Sequence, residues 1–173
     1  DPAPILAGEG VPPPQELIDQ IAAALAAVHR MPVDEGLAPA TDDPVGSLLA
    51  THDALGEPHP VFELAFRALG AAPPGAARRS FVHGDFRMGN LMVAARGLTG
   101  VLDWELAHLG DPAEDLGWIC VNSWRFGDES PVGGFGTYEE LLAGYAEAGG
   151  APVTLARVRY WQAVGSLKWA VMC

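Results

Sequence analysis

Cysteine is scarce in this sequence of 173 residues, and its scarcity argues against two classes of small protein. The two cysteines, Cys120 and Cys173, stand far apart and show no paired spacing. Disulfide frameworks and zinc ribbons both need several cysteines at characteristic intervals, so we expect neither here. Low cysteine use also favours a reducing compartment, and we therefore expect a cytoplasmic protein.

Basic residues are also few, because ten lysines and arginines stand against 22 acidic residues, for a formal net charge of −12. With no basic patch to neutralise phosphates, the sequence is not typical of a nucleic-acid-binding protein. The charge would suit a cationic substrate, although acidity more often serves solubility. The sequence has no apolar run of about 18 residues and no basic leader followed by apolar residues. We therefore expect neither a membrane span nor a signal peptide.

The remaining composition is that of a folded domain. With 49% hydrophobic residues, a chain of this length can bury one substantial core. Residues 1–14 are rich in proline and glycine and are predicted to be a linker, whereas residues 15–173 are predicted to be folded. Apolar periodicity predicts a loop at residues 31–41 and helices over residues 15–30, 44–55, 59–69, 111–124 and 137–149, and from residue 154 onward.

Two predicted helix starts carry recognisable capping sequences. Asp43 precedes Pro44, which is a favoured order of N-cap and first helical residue. Thr137 with Glu140, three residues later, is a capping box. The last helix is predicted to bury one face, formed by Leu155, Val158, Trp161, Val164, Leu167 and Val171.

Short predicted strands surround one polar loop. These strands cover residues 81–82, 91–93 and 101–102. Polar side chains occupy the loop between the first two strands and the end of the third, namely His83, Asp85, Arg87, Asn90 and Asp103. Since burying such groups unpaired is costly, the arrangement suits chemistry rather than packing. The predicted fold class is α+β, mostly α-helical, with a few short β-strands around this loop.

One ordered set of residues resembles the catalytic core of the aminoglycoside phosphotransferase family: His83-Gly84-Asp85, then Asn90 five residues after the aspartate, then Asp103 thirteen residues later. That family shares its core with protein kinases, whose catalytic loop reads H-R-D-x-x-x-x-N before a metal-binding aspartate. Residues 81–118 are most similar to the branch found fused or adjacent to acyl-CoA dehydrogenases. The resemblance implies that residues 15–173 form a protein-kinase-like C-terminal lobe.

The resemblance further implies ATP-dependent phosphoryl transfer to the hydroxyl group of a small molecule, with Mg²⁺. Asp85 would accept the hydroxyl proton, the alternative being an aspartate that caps local backbone amides. Asn90 and Asp103 would hold Mg²⁺, which prefers oxygen ligands, the alternatives being a turn former and a strand-end cap. Arg87 would clamp phosphate oxygens, and an ordinary surface salt bridge is its open alternative.

Three further residues are expected to support the loop. The resemblance makes His83 a buried residue whose ring hydrogen-bonds the loop backbone, rather than a general base. Asp111 and Glu114 resemble a capping box, so Asp111 is most simply a helix N-cap. Asp115, one turn into that helix, is placed to hold the amides of the loop. Glu105 is expected to be a solvated carboxylate, with contact to the metal through water as the alternative.

The family also has an N-terminal lobe, and the sequence does not contain its features. That lobe supplies a phosphate-covering loop and a strand lysine that pairs with a helix glutamate. The only lysine here is Lys168, in the last predicted helix, and residues 8–10 are too short and proline-flanked for a phosphate loop. We therefore expect a fragment of a longer protein, inactive in isolation, with the missing lobe as its partner and with the nucleotide-binding residues outside it.

The acceptor is expected to dock between the loop and the helices at residues 43–69 and 137–149. Aminoglycosides, choline-like alcohols, sugars and hydroxyacyl groups all remain open as acceptors. Two other functions are possible for the same residues. The first is a binding or regulatory module that keeps the kinase-like fold without transferring phosphate. The second is a metallohydrolase, in which His83 and His108 would join the aspartates in a metal cluster, although this spacing matches no hydrolase motif.

Overall fold

The computed structural model describes residues 14–32 and 43–173. The linker predicted at residues 1–14, apart from Pro14, lies outside these ranges, as does most of the loop predicted at residues 31–41. The described residues form six α-helices, two short 3-10 helices and four short strands. The predicted α+β class, mostly α-helical, is confirmed. No helix within these ranges combines the length and hydropathy needed to cross a bilayer.

The helices begin close to their predicted starts. Asp43 caps its helix by accepting the N–H of Gly46 at 2.8 Å, and Thr137 forms the predicted capping box with Glu140. Thr154 caps the last helix, whose predicted face is buried except for a half-buried Leu155. The observed helices are α1 (Pro14–His29), α2 (Pro44–Leu55), α3 (Pro60–Ala71), α4 (Ala113–Trp118), α5 (Tyr138–Glu147) and α6 (Leu155–Met172).

The prediction of one helix over residues 111–124 was wrong at its C-terminal end. Helix α4 stops at Trp118, and a separate 3-10 helix follows at Asn122–Arg125. The carbonyl of Ile119 accepts a hydrogen bond from the N–H of Gly133. The carbonyl of Cys120 accepts one from the guanidinium group of Arg125. These carbonyls are satisfied outside the helix, which explains why the helix does not continue.

The strands form two separate antiparallel pairs. Strand β1 (Ser80–Val82) pairs with β4 (His108–Gly110), which was not predicted, and β2 (Leu91–Ala94) forms a hairpin with β3 (Gly97–Val101). The predicted strand at residues 101–102 is thus the end of a longer one. Leu102 lies outside it, but its N–H still donates to the carbonyl of Asn90 at 2.8 Å.

Two large hydrophobic cores and a small third one, formed by Trp118, Val121 and Trp124, hold the described elements together. In the first, α1 packs against α5 and against Phe86 and Met88 of the polar loop. In the second, α2 and α3 pack on α6. Burial of each large apolar side chain stabilises the fold by about 1.5–3 kcal/mol. The fully buried side chains of α1 are Leu17, Ile18, Ile21, Ala22, Leu25 and Ala26.

Candidate active site

The polar loop turns sharply at Gly84, directly after β1. Gly84 has φ of 83°, in the left-handed region, and a Cβ atom there would collide with the carbonyl oxygen of Leu106. Glycine is therefore required at this position, because it alone tolerates both the backbone angle and the close approach. The turn sends the chain past Asp85 into the short 3-10 helix Met88–Asn90 that leads into β2.

The Asp85 carboxylate is held by three side-chain donors. Trp118 Nε1 donates to Oδ1 at 2.8 Å, and Asn90 Nδ2 donates to Oδ2 at 2.6 Å. The Nε of Arg87 lies 3.1 and 3.2 Å from the two carboxylate oxygens. The side chain of Asp85 is still 13% exposed, so the carboxylate is fixed in orientation and open to a ligand.

Arg87 forms an ion pair within the polar loop. Its Nε pairs with the carboxylate of Asp85, and its guanidinium carbon lies 4.8 Å from the centre of the Trp124 ring. Stacking on an aromatic face leaves the edge of a guanidinium available for further hydrogen bonds. The phosphate-clamping role of Arg87 therefore stays a prediction, and Arg87 also forms an ion pair with Asp85, the candidate base.

The side-chain oxygens of Asn90 and Asp103 are of the chemical type that binds magnesium. Asn90 uses its Nδ2 on the carboxylate and backbone oxygens of Asp85, which leaves its Oδ1 without a hydrogen-bond partner in the described part of the chain. Asp103 is exposed and makes no hydrogen bond or ion pair within residues 14–32 and 43–173. Amide and carboxylate oxygens are ligands that Mg²⁺ prefers. Asp103 has φ of 67°, and such backbone strain is concentrated at functional sites.

His83 supports the loop from inside the protein. Its Nδ1 accepts the N–H of Asp85 at 3.2 Å, and its Nε2 donates to the carbonyl of Leu102 at 3.0 Å. His108 likewise hydrogen-bonds the Glu114 carboxylate through Nε2 and the carbonyl of Leu106 through Nδ1, both at 2.9 Å. Because both rings have both nitrogens engaged, they do not form the metal cluster that the hydrolase alternative requires.

Asp115 is fully buried beneath the turn and holds two of its backbone amides. Its Oδ2 accepts the N–H of His83 at 2.8 Å, and its Oδ1 accepts the N–H of Gly84 at 2.9 Å. His29 Nε2 donates to Oδ2 at 3.1 Å, while His29 Nδ1 hydrogen-bonds the Tyr145 hydroxyl at 2.8 Å. Burial alone would raise the pKa of Asp115, but His29 and the two amides lower it below the usual aspartate value.

Asp111 lies elsewhere, away from the loop. Its Oδ1 accepts the N–H of Ala113, and Glu114 accepts the N–H of Asp111, so the two acids flank the start of α4 reciprocally. Its Oδ2 accepts from Arg157 at 2.6 Å and from Trp161 at 2.7 Å. Asp111 therefore fastens α4 to α6, and its described hydrogen bonds do not reach the polar loop.

An apolar pocket of about 300 Å³ opens beside the turn. Its walls come mainly from α2 and α6, including Leu48 and Val164, and Gly84 and Lys168 also line it. Lys168 Nζ donates to the carbonyl of Gly84 at 3.1 Å and lies 4.8 Å from the centre of the Trp118 ring. Burial lowers the pKa of Lys168, although neighbouring carboxylates oppose the shift. Within the described chain, α5 lines no part of this pocket and packs on α1 instead.

Sequence reasoning missed three residues that contact the site. These residues are His29, Trp118 and Lys168. His29 reaches Asp115 and Lys168 reaches Gly84 only through the packing of α1 and α6, so no local spacing reveals them. Trp118 carries one signal, because buried tryptophans usually find an acceptor for the indole N–H.

The comparison with protein families agrees with the geometry. Residues 2–161 match the phosphotransferase enzyme family (APH). This match covers most of the chain, and the chain therefore belongs to the phosphotransferase enzyme family. The family resemblance of residues 81–118 is confirmed. Acyl-CoA dehydrogenase family member 11 of Gallus gallus is 31% identical over 112 residues, which are 57% of this chain and 14% of that protein, in agreement with the expected branch.

Solved structures show the same fold. Macrolide 2'-phosphotransferase type I has a TM-score of 0.67 and 23% identity, over 90% of this chain and 52% of that one. The streptomycin-ATP-APH(2")-IIa ternary complex has a TM-score of 0.62 and 19% identity, over 92% of this chain and 56% of that one. The kinase-like fold is thus confirmed. The chain spans about half the length of each solved relative.

Proposed function

We propose that this chain is the metal-binding and acceptor-binding lobe of a phosphotransferase that moves a phosphoryl group from ATP to a hydroxyl group of a small molecule. One observation carries the proposal: the Asp85 carboxylate is fixed in orientation by three side-chain donors beside a pocket, and one of these donors is Asn90, a proposed ligand of Mg²⁺. Membership of the phosphotransferase family supports it.

In this proposal Asp85 orients the acceptor hydroxyl and takes its proton as the oxygen attacks the phosphorus. Trp118 and Asn90 keep the carboxylate aimed, and Arg87 faces the transferred group. Asn90 and Asp103 would hold Mg²⁺, which supplies charge neutralisation of the phosphate oxygens when bound. ATP is proposed as the donor because one solved relative is a complex with ATP.

The pocket favours an acceptor with an apolar body and an anionic group. Leu48, Trp161 and Val164 give it mostly apolar walls, and Lys168 places one ammonium group beside the turn. The carboxylates that also line it, Glu114 and Asp115, are already paired with histidines. This lining suits a hydroxyacyl compound or a simple alcohol better than a polycationic aminoglycoside, whose several charges need unpaired carboxylates.

The test is Asp85→Ala in the intact protein, with ADP release measured against a panel of hydroxyacyl compounds, alcohols and aminoglycosides. Turnover should fall by about 10²–10⁴-fold, as expected for loss of a general base, while ATP still binds. Glu129→Gln, an exposed charge change outside the site, is the control. Turnover that survives within a few-fold, or an intact protein that binds ATP but transfers to no acceptor, would contradict the proposal and favour a binding module.

A further inference from the structure

A second group of potential ligands lies at the other end of α2, outside the catalytic loop. His52 and Asp53 stand near the end of α2, and Glu63 stands in the first turn of α3. One ligand atom from each residue lies within 4.8 Å of the other two. We call these three residues the His52 cluster. The phosphotransferase proposal does not use them.

The imidazole of His52 is buried but only half satisfied. Its ring packs against Phe62 and Phe66, and the side chain is only 3% exposed. Its Nε2 lies 3.4 Å from Nδ1 of His59. Its Nδ1 is buried without a hydrogen-bond partner among the described residues, although a nitrogen in such a position normally has one.

That unpartnered nitrogen faces two carboxylates at distances too long for hydrogen bonds. Nδ1 lies 3.8 Å from Asp53 Oδ1 and 3.9 Å from Glu63 Oε1. Ligands bound tetrahedrally to a zinc-sized ion lie about 3.3–3.6 Å from one another, given bond lengths near 2.0–2.2 Å. The two carboxylates are 65% and 45% exposed, so both can move the few tenths of an ångström that remain.

We propose that the His52 cluster binds a divalent transition-metal ion of the Zn²⁺ type, through one imidazole nitrogen and two carboxylates, with water in the open position. The charges of the ligands suit such an ion, since two carboxylates neutralise its 2+ charge and a neutral imidazole adds no charge. An imidazole ligand favours such an ion over Mg²⁺.

A bound ion would link α2 to α3, because His52 and Asp53 lie on the first helix and Glu63 on the second. The two helices are joined by a short connection, and α2 also forms a wall of the apolar pocket through Ser47, Leu48 and Thr51. A bound ion would hold that wall in place, so its role is structural.

The test is titration of the full chain with ZnCl₂ by calorimetry, in millimolar MgCl₂ so that oxygen-only sites are occupied. Asp53→Asn removes one ligand at an exposed position and Glu63→Gln removes one at a partly exposed position, which protects the fold. Glu57→Gln makes the same charge change in the α2–α3 connection without touching the cluster. One equivalent of Zn²⁺ should bind, and each ligand variant should weaken binding at least tenfold while Glu57→Gln should not.

Thermal unfolding supplies a second readout, since a ligand that binds only the folded state raises the Tm. Zn²⁺ should raise the Tm of the starting chain, EDTA should reverse the rise, and both ligand variants should lose it. The proposal is overturned if no saturable binding occurs, if either ligand variant weakens binding less than tenfold, or if Glu57→Gln weakens it equally.

Discussion

Asp115→Asn tests the claim that one buried carboxylate organises the turn beside the candidate base. Asparagine has nearly the same shape but offers a single acceptor oxygen and two N–H donors. Asp115 receives three donors, from the backbone of His83 and Gly84 and from the ring of His29. The substitution therefore places the side-chain amide N–H donors of asparagine against the N–H donors of the protein, in a site that is fully buried.

The expected loss of stability is about 3 kcal/mol, because hydrogen bonds to a charged group contribute about 1.5–3 kcal/mol each and asparagine keeps only one of the three that Asp115 receives. For a chain of this size this corresponds to a fall in Tm of about 6–12 °C. The effect depends on pH in a definite direction. Since folding lowers the pKa of Asp115, its stabilisation is fully present above the ordinary aspartate pKa and is lost as the pH falls through the folded-state pKa.

Urea unfolding followed by tryptophan fluorescence, repeated from pH 7 to pH 3, would measure both effects. The difference in the free energy of unfolding between the original chain and Asp115→Asn should stay constant down to about pH 5 and become smaller below it. Glu129→Gln, at an exposed position, should leave the Tm unchanged. A loss below about 1 kcal/mol at pH 7, which is the value of an ordinary hydrogen bond, would refute the reasoning, as would a gap independent of pH.

Three further predictions follow from the site. Trp118→Phe keeps a ring but removes the donor to Asp85, so kcat should fall about tenfold with ATP affinity retained; an unchanged kcat would show that this bond does not matter. Lys168→Met should raise KM for anionic acceptors more than for neutral ones in steady-state kinetics, and equal effects would argue against an anion site. Burial raises the pKa of Cys120 to about 12, so a thiol reagent at pH 8 should modify only the exposed Cys173 until the protein unfolds. Two reactive thiols in the folded chain would contradict that burial.

The helices were largely predictable because their starts depend on neighbouring residues. Asp43, Thr137 and Thr154 each accept an N–H from a residue three positions later, and that spacing is visible in the sequence. The end of α4 was not predictable, since the carbonyls that follow it accept hydrogen bonds from the Gly133 N–H and from the Arg125 side chain, which no sequence pattern indicates. Strand β4 was missed because a strand of three residues shows too little alternation.

The residues of the candidate site likewise divide into those predictable from local sequence and those brought there by packing. Asp85, Asn90 and Asp103 could be proposed from an ordered motif, and the structure holds the first two in direct contact. His29 and Lys168 could not, because they come from helices far from the loop in sequence and contact Asp115 and Gly84 only once those helices have packed. Asp111 shows both sides of this division: its contact with the N–H of Ala113 at the start of α4 follows from the local sequence, whereas its bonds to Arg157 and Trp161 of α6 do not.

The ring of His83 joins the backbone of Asp85 to that of Leu102, the residue before Asp103. The two ends of the candidate site are therefore thermodynamically coupled through one imidazole. Substitutions on either side should not act independently, and a double-mutant cycle between them should show a coupling free energy of about 0.5–3 kcal/mol. Each segment thus limits the changes that the other can tolerate.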